Sequence, residues 1–114
     1  MVEKQIKHVL KKRDRLLGSS KTLGISVLVD KENAPFADVG YAPFIRTEGC
    51  FYIYSSHLSS HTRALINGSE ARFFLIEDEG KSTNIWARIR LKFSADVLEL
   101  ARNDKRFSSI CSQI

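Results

Sequence analysis

The densest run of chemically useful side chains in this 114-residue sequence lies between Ser55 and Arg63, where serine hydroxyls, His61, Thr62 and Arg63 follow one another closely. If a strand ends at Ser55 and a helix starts at Ser59 or Ser60, these groups gather where free backbone N–H groups attract an anion. Serine capping of a helix produces the same pattern with no ligand at all. A second set of cations, Arg88, Arg90 and Lys92, alternates along a later segment and either reinforces such a site or forms the solvated face of an exposed strand. His57 and His61 are four apart, a spacing that aligns two imidazoles on a helix, but no local Asp, Glu or Cys supplies a third metal ligand. The run Gly18-Ser19-Ser20-Lys21-Thr22 lacks the glycines a phosphate-binding loop requires and follows a helix, so it reads as a helix-terminating loop. Cys50 and Cys111 are far apart in sequence with no metal-ligand spacing, which suits ordinary thiols in a reducing compartment. No nucleophile elbow is present, so a hydrolase is disfavoured.

The elements that must position these groups follow from periodicity. Val2, Ile6, Val9, Leu10, Leu16 and Leu17 recur at helical spacing with lysines and arginines on the other face, and Gly18 is expected to end that helix. Leu23–Asp30 alternates as a strand, residues 31–35 have turn chemistry, and Phe36–Ile45 returns to complete a hairpin. Pro43 has no N–H to donate, which places the returning strand at an edge or a bulge. Phe51–Ser55 is aromatic on both faces, as a strand covered on both sides would be. A short helix capped by Ser59 or Ser60 carries Ala64, Leu65 and Ile66 inward and ends at Asn67-Gly68. Ala71–Ile76 reads as a buried strand. Residues 85–93 alternate most cleanly, predicting a half-buried strand with Trp86, Arg88, Arg90 and Lys92 outward. Phe107, Ile110, Cys111 and Ile114 have helical spacing in a tail that stops without a cap, as a truncated domain would. This order is poor in crossovers and fits a mainly β fold with flanking α-helices: a small antiparallel barrel with helices packed outside it.

At 13.0 kDa and 43% hydrophobic residues the chain is sized for one domain, with residues 1–19 as a basic amphipathic helix and 20–114 as the barrel. Its core is thin enough for a partner subunit to help, so dimerisation is expected. Residues 1–21 hold seven of the 18 basic residues and two of the 13 acidic ones, leaving the remainder balanced. The net charge of +5 therefore belongs to one segment, and nucleic-acid binding loses most of its support. No apolar run reaches membrane-spanning length and the N-terminus is not a signal region, which together predict a cytoplasmic protein.

Five ordered blocks carry a family likeness: Gly40-Tyr-Ala-Pro-Phe44, Phe51-Tyr-Ile-Tyr-Ser-Ser56, His61-Thr-Arg-Ala-Leu65, Leu75-Ile-Glu-Asp-Glu79 and Trp86-Ala-Arg-Ile-Arg-Leu91. In this order and spacing, over residues 20–111, the chain resembles the bacterial haem-utilisation proteins (the HugZ and HutZ group). These form a branch of the pyridoxamine 5′-phosphate oxidase-like, FMN-binding split-barrel superfamily. The resemblance implies a six-stranded split barrel, a homodimer with its ligand at the subunit interface, and FMN as the first cofactor with haem as the second. Flavin-binding relatives hold the FMN phosphate on the strand matching Tyr41–Ile45 and at the junction matching Ser55–Arg63. It therefore implies Tyr41, Ser55, Ser56, His61, Thr62 and Arg63 as cofactor residues, and Arg88 for a haem propionate or the polar edge of a flavin. Chemistry, if any, would be the cofactor's: flavin-mediated redox or haem breakdown. The sequence departs from the family where oxidases place Arg and Lys, since Ser60 and His61 stand there. The family's axial histidine and the last barrel strand would fall beyond Ile114. A non-enzymatic dimeric remnant without cofactor is the alternative, and a basic adaptor docking through residues 2–17 is the third reading.

Overall fold

Leu23, Ile25 and Val27 alternate with Gly24, Ser26 and Leu28 along β1 (Thr22–Val29), and that alternation gives the sheet its two unlike faces. In the computed structural model, which describes residues 2–30 and 34–114, the first three are among the most deeply buried side chains of the protein. The expected turn at 31–35 falls partly outside the described residues. β2 (Phe36–Thr47) runs antiparallel to β1, with Ala42 opposite Leu23, Gly40 opposite Ile25 and Asp38 opposite Val27. β4 (Ala71–Ile76) flanks β1 on its other side, β3 (Cys50–Ile53) pairs with the far end of β2, and β5 (Arg90–Phe93) pairs with β4. The order β3-β2-β1-β4-β5 is antiparallel throughout and open: five strands among the described residues, where the resemblance implied six.

Open hydrogen bonding does not leave the two edges apart. Phe51 on edge strand β3 stacks on Phe93 of the opposite edge strand β5, with ring centroids 5.0 Å apart. Phe44 joins on one side at 5.6 Å and Phe73 on the other at 5.6 Å. The sheet is thus rolled into a half-barrel whose seam is closed by aromatic side chains. Leu16 of α1 (Val2–Ser19) and Ala64 and Leu65 of α2 (Ser60–Ile66) complete the core on the concave face. A third helix, α3 (Phe107–Gln113), buries Ile110, in keeping with the spacing of the tail. On the convex face Leu28, Val39, Tyr41, Phe74 and Ile76 are all exposed.

Several expectations are corrected. Gly18 does not end α1, which runs on through Ser19. The end is set instead by Ser20, whose N–H and hydroxyl both donate to the Leu16 carbonyl. β2 is not an edge strand. Pro43 sits where β2 passes from one partner to the next: the Pro43 carbonyl accepts from the Tyr54 N–H, but the missing N–H cannot answer, and the β2–β3 ladder ends there. β3 is a half-buried edge strand and is not covered on both sides. Ile66 faces outward, and β4 is buried on one face only, since Phe74 and Ile76 point to the convex side. The cleanest alternation in the sequence, 85–93, is a strand only from Arg90. The Asn84 side chain accepts from the Trp86 N–H and winds Ile85–Ala87 into a single 3₁₀ turn. This local competition leaves Ile85 and Trp86 exposed.

The seam makes a direct prediction. Phe51→Ala and Phe93→Ala should each lower unfolding stability by about 2–4 kcal/mol, and the two should couple by about 1 kcal/mol in a double-mutant cycle. Additive losses in urea titrations would contradict the seam.

Candidate functional site

α2 is only seven residues long, and its entry residue Ser59 has extended backbone (φ −81°, ψ 135°) but makes no side-chain cap bond. The next hydroxyl leaves the helix altogether: Ser60 Oγ donates to Asp38 Oδ2 on β2 at 2.5 Å. His61 follows it inward. Its Nδ1 lies 3.7 Å from the same Asp38 oxygen, and its ring rests over Gly40, where a Cβ would come within 2.6 Å of it. Gly40 is therefore required by close approach. His61 Nε2 is buried without a hydrogen-bond partner.

Thr62 is buried, and its hydroxyl pairs with Ser55 Oγ at 2.5 Å. Ser56 Oγ accepts from the Leu58 N–H. Arg63 folds back so that Nη1 donates to the carbonyls of His57 and Leu58 at 2.8 and 2.9 Å. The structure thus brings Ser55, His61 and Thr62 together at the strand-to-helix junction, with Ser56 and Arg63 tying the loop beside them. It does not bring Tyr41 or Arg88 there. Tyr41 alternates with Gly40 and Ala42 and stands on the convex face, 78% exposed. Arg88 donates from Nε to the Glu77 carbonyl at 2.8 Å and has Nη1 3.6 Å from Glu79. By register Glu77 lies level with Lys21 while Asp38 faces Val27, a separation of roughly 20 Å along the strands.

Asp38 is the site residue that sequence reasoning missed. The signal was present in the inward series Phe36-Asp38-Gly40-Ala42-Phe44, where one carboxylate interrupts positions facing the core. The Ser60 hydroxyl, then the Val39 N–H and the charge of His61, hold its pKa below the ordinary carboxylate value against partial burial. Hydroxyls already paired, and a carboxylate among them, make this junction a clasp between α2 and β2 and a poor cradle for a dianion. Among the described residues no group of three or more His, Cys, Asp and Glu could hold a metal ion. Both cysteines are free thiols, and among the described residues no helix is long and apolar enough to cross a membrane.

The clasp has a pH signature. Asp38's pKa is lower folded than unfolded, so its stabilisation is full above the unfolded value near 4 and is lost as pH falls through the folded one. Wild type should exceed Asp38→Asn in stability at pH 7 and by a smaller margin at pH 3, in urea titrations. A gap of equal size at both pH values would contradict this.

No family model matches the chain. Among curated proteins it is 30% identical over 94 residues to haem oxygenase HutZ of Vibrio cholerae, covering 82% of this chain and 52% of HutZ. It therefore spans about half the length of that relative. The crystal structure of HutZ, described as the haem storage protein from Vibrio cholerae, superposes with a TM-score of 0.75 at 28% identity, covering 90% of this chain and 70% of that one. Campylobacter jejuni ChuZ superposes with a TM-score of 0.80 at 27% identity, covering 94% and 42%. On this identity and superposition the chain is a homologue of the HutZ and ChuZ haem-utilisation proteins that shares their split-barrel fold.

Proposed function

We propose that this protein binds haem in haem utilisation. The observation that carries the reading is the homology to HutZ across 82% of the chain. That relative is described both as an oxygenase and as a storage protein, and the two descriptions share haem binding as their one requirement. Bound haem would supply a redox-active iron and two carboxylates; this chain would supply apolar contact and cations for the carboxylates. The flavin reading has less to support it, because the hydroxyls and guanidinium expected to hold an FMN phosphate are engaged with one another and with backbone carbonyls. His61 is a clasp residue with its Nε2 turned into Gly40, and the exposed His57 has Nε2 3.3 Å from Glu99.

The homodimer is part of the same proposal. Leu28, Val39, Tyr41, Phe74 and Ile76 form an uncovered apolar face on the convex side of the sheet, of the kind that subunit interfaces cover. Phe74 and Ile76 lie opposite Lys92 and Arg90 of β5, so the rim of that face is cationic.

Titrating the protein with haemin and, separately, FMN should give a saturable Soret shift with haemin at about one per chain and no stoichiometric flavin binding. Stoichiometric FMN without haemin binding would replace this reading by the flavin one, and binding of neither would favour the cofactor-free remnant. In sedimentation velocity the wild type should run as a dimer and Val39→Asp as a folded monomer. A monomeric wild type would remove the interface.

A further inference from the structure

A groove of about 270 Å³ runs between α1 and β5, outside the clasp described above. Four cations line it, Lys12 and Arg13 from α1 and Arg88 and Arg90 from the β5 side, and no acidic residue does. Val9 and Leu91 belong to its apolar wall. Two of the cations are engaged: Arg13 pairs with Asp14 at 3.0 Å and Arg88 with Glu79 at 3.6 Å. Lys12 and Arg90 make no ion pair among the described residues. A larger hollow nearby, at the end of α1, mixes Arg15, Lys21 and Lys81 with Glu77 and Asp78 and so selects no single sign of charge. The α1–β5 groove does: it fits an apolar body that carries carboxylates at one edge.

We propose that the α1–β5 groove receives the carboxylate edge of a tetrapyrrole, with Lys12 and Arg90 as the groups that meet the carboxylates. The inference rests on the haem reading and adds a location to it. Arg90 stands opposite Ile76, so the groove opens at the rim of the convex face assigned to the second subunit. A second α1 is a poor occupant, because each copy brings six cations and two acids between Val2 and Ser19.

Trp86, the chain's single tryptophan, adjoins Ala87 of the groove wall and reports binding by fluorescence quenching. Iron-free protoporphyrin IX and its dimethyl ester serve as probes, since they differ only in the carboxylates. Wild type should bind the diacid about tenfold more tightly than the ester, and Lys12→Ala/Arg90→Ala should lose about tenfold for the diacid and none for the ester. Lys4→Ala/Lys7→Ala, which removes the same charge from elsewhere on α1, should bind as wild type does. Circular dichroism of each variant confirms that the helix is retained. Equal diacid affinity in wild type and Lys12→Ala/Arg90→Ala, or an equal loss in both double variants, would overturn the groove while leaving haem binding intact. Failure of wild type to bind either porphyrin or haemin would instead overturn the haem reading, and the groove with it.

Discussion

Phe51 and Phe93 sit on strands that share no hydrogen bond, at opposite ends of a five-stranded sheet, yet their rings stack 5.0 Å apart. The concave face exists because of that contact. It rolls β1 to the middle of an enclosed surface, where Leu23, Ile25 and Val27 share one core with Leu16 of α1 and Ala64 and Leu65 of α2, and it turns Leu28, Val39, Tyr41, Phe74 and Ile76 to an outer face where they stand exposed. Burying an aliphatic side chain is worth about 1.5–3 kcal/mol, so this concave surface supplies most of the stability a chain of this size can assemble. The outer face is left to do something else, and its apolar centre and cationic rim are what the functional reading draws on.

Features written in one segment were legible in the sequence. The helical spacing of Val2 through Leu17, the alternation of β1 and the Asn67-Gly68 stop of α2 are each satisfied locally. Features that depend on a partner were not. Pro43 signalled an interruption of pairing, but whether that means an edge or a change of partner depends on which strands flank β2. Residues 85–89 alternate as a strand should, yet a single Asn84 side chain wins the backbone of Trp86 for a turn. Phe73-Phe74-Leu75-Ile76 reads as buried on both faces, since only the missing cover over the convex side separates it from a core strand.

The candidate site shows the same division. Ser55, His61 and Thr62 were placed correctly at one junction because they are close in sequence. What they do there was hidden, because Asp38 arrives from 23 positions away and converts an apparent anion site into a closed polar clasp. The cations that remain available lie elsewhere, where α1 and β5 meet although they are far apart in the sequence. Homology to HutZ and ChuZ gives the fold and a direction for function; the distribution of satisfied and unsatisfied charge gives the location.

The most direct measurement is a ¹⁵N–¹H correlation spectrum of the labelled protein titrated with diamagnetic gallium protoporphyrin IX. Saturable shifts concentrated on Val9, Lys12, Ile89 and Leu91, with the amides of Ser60–Arg63 unmoved, are the predicted result. Shifts confined to the Ser55–Arg63 junction, or no saturable shifts at all, would contradict the account.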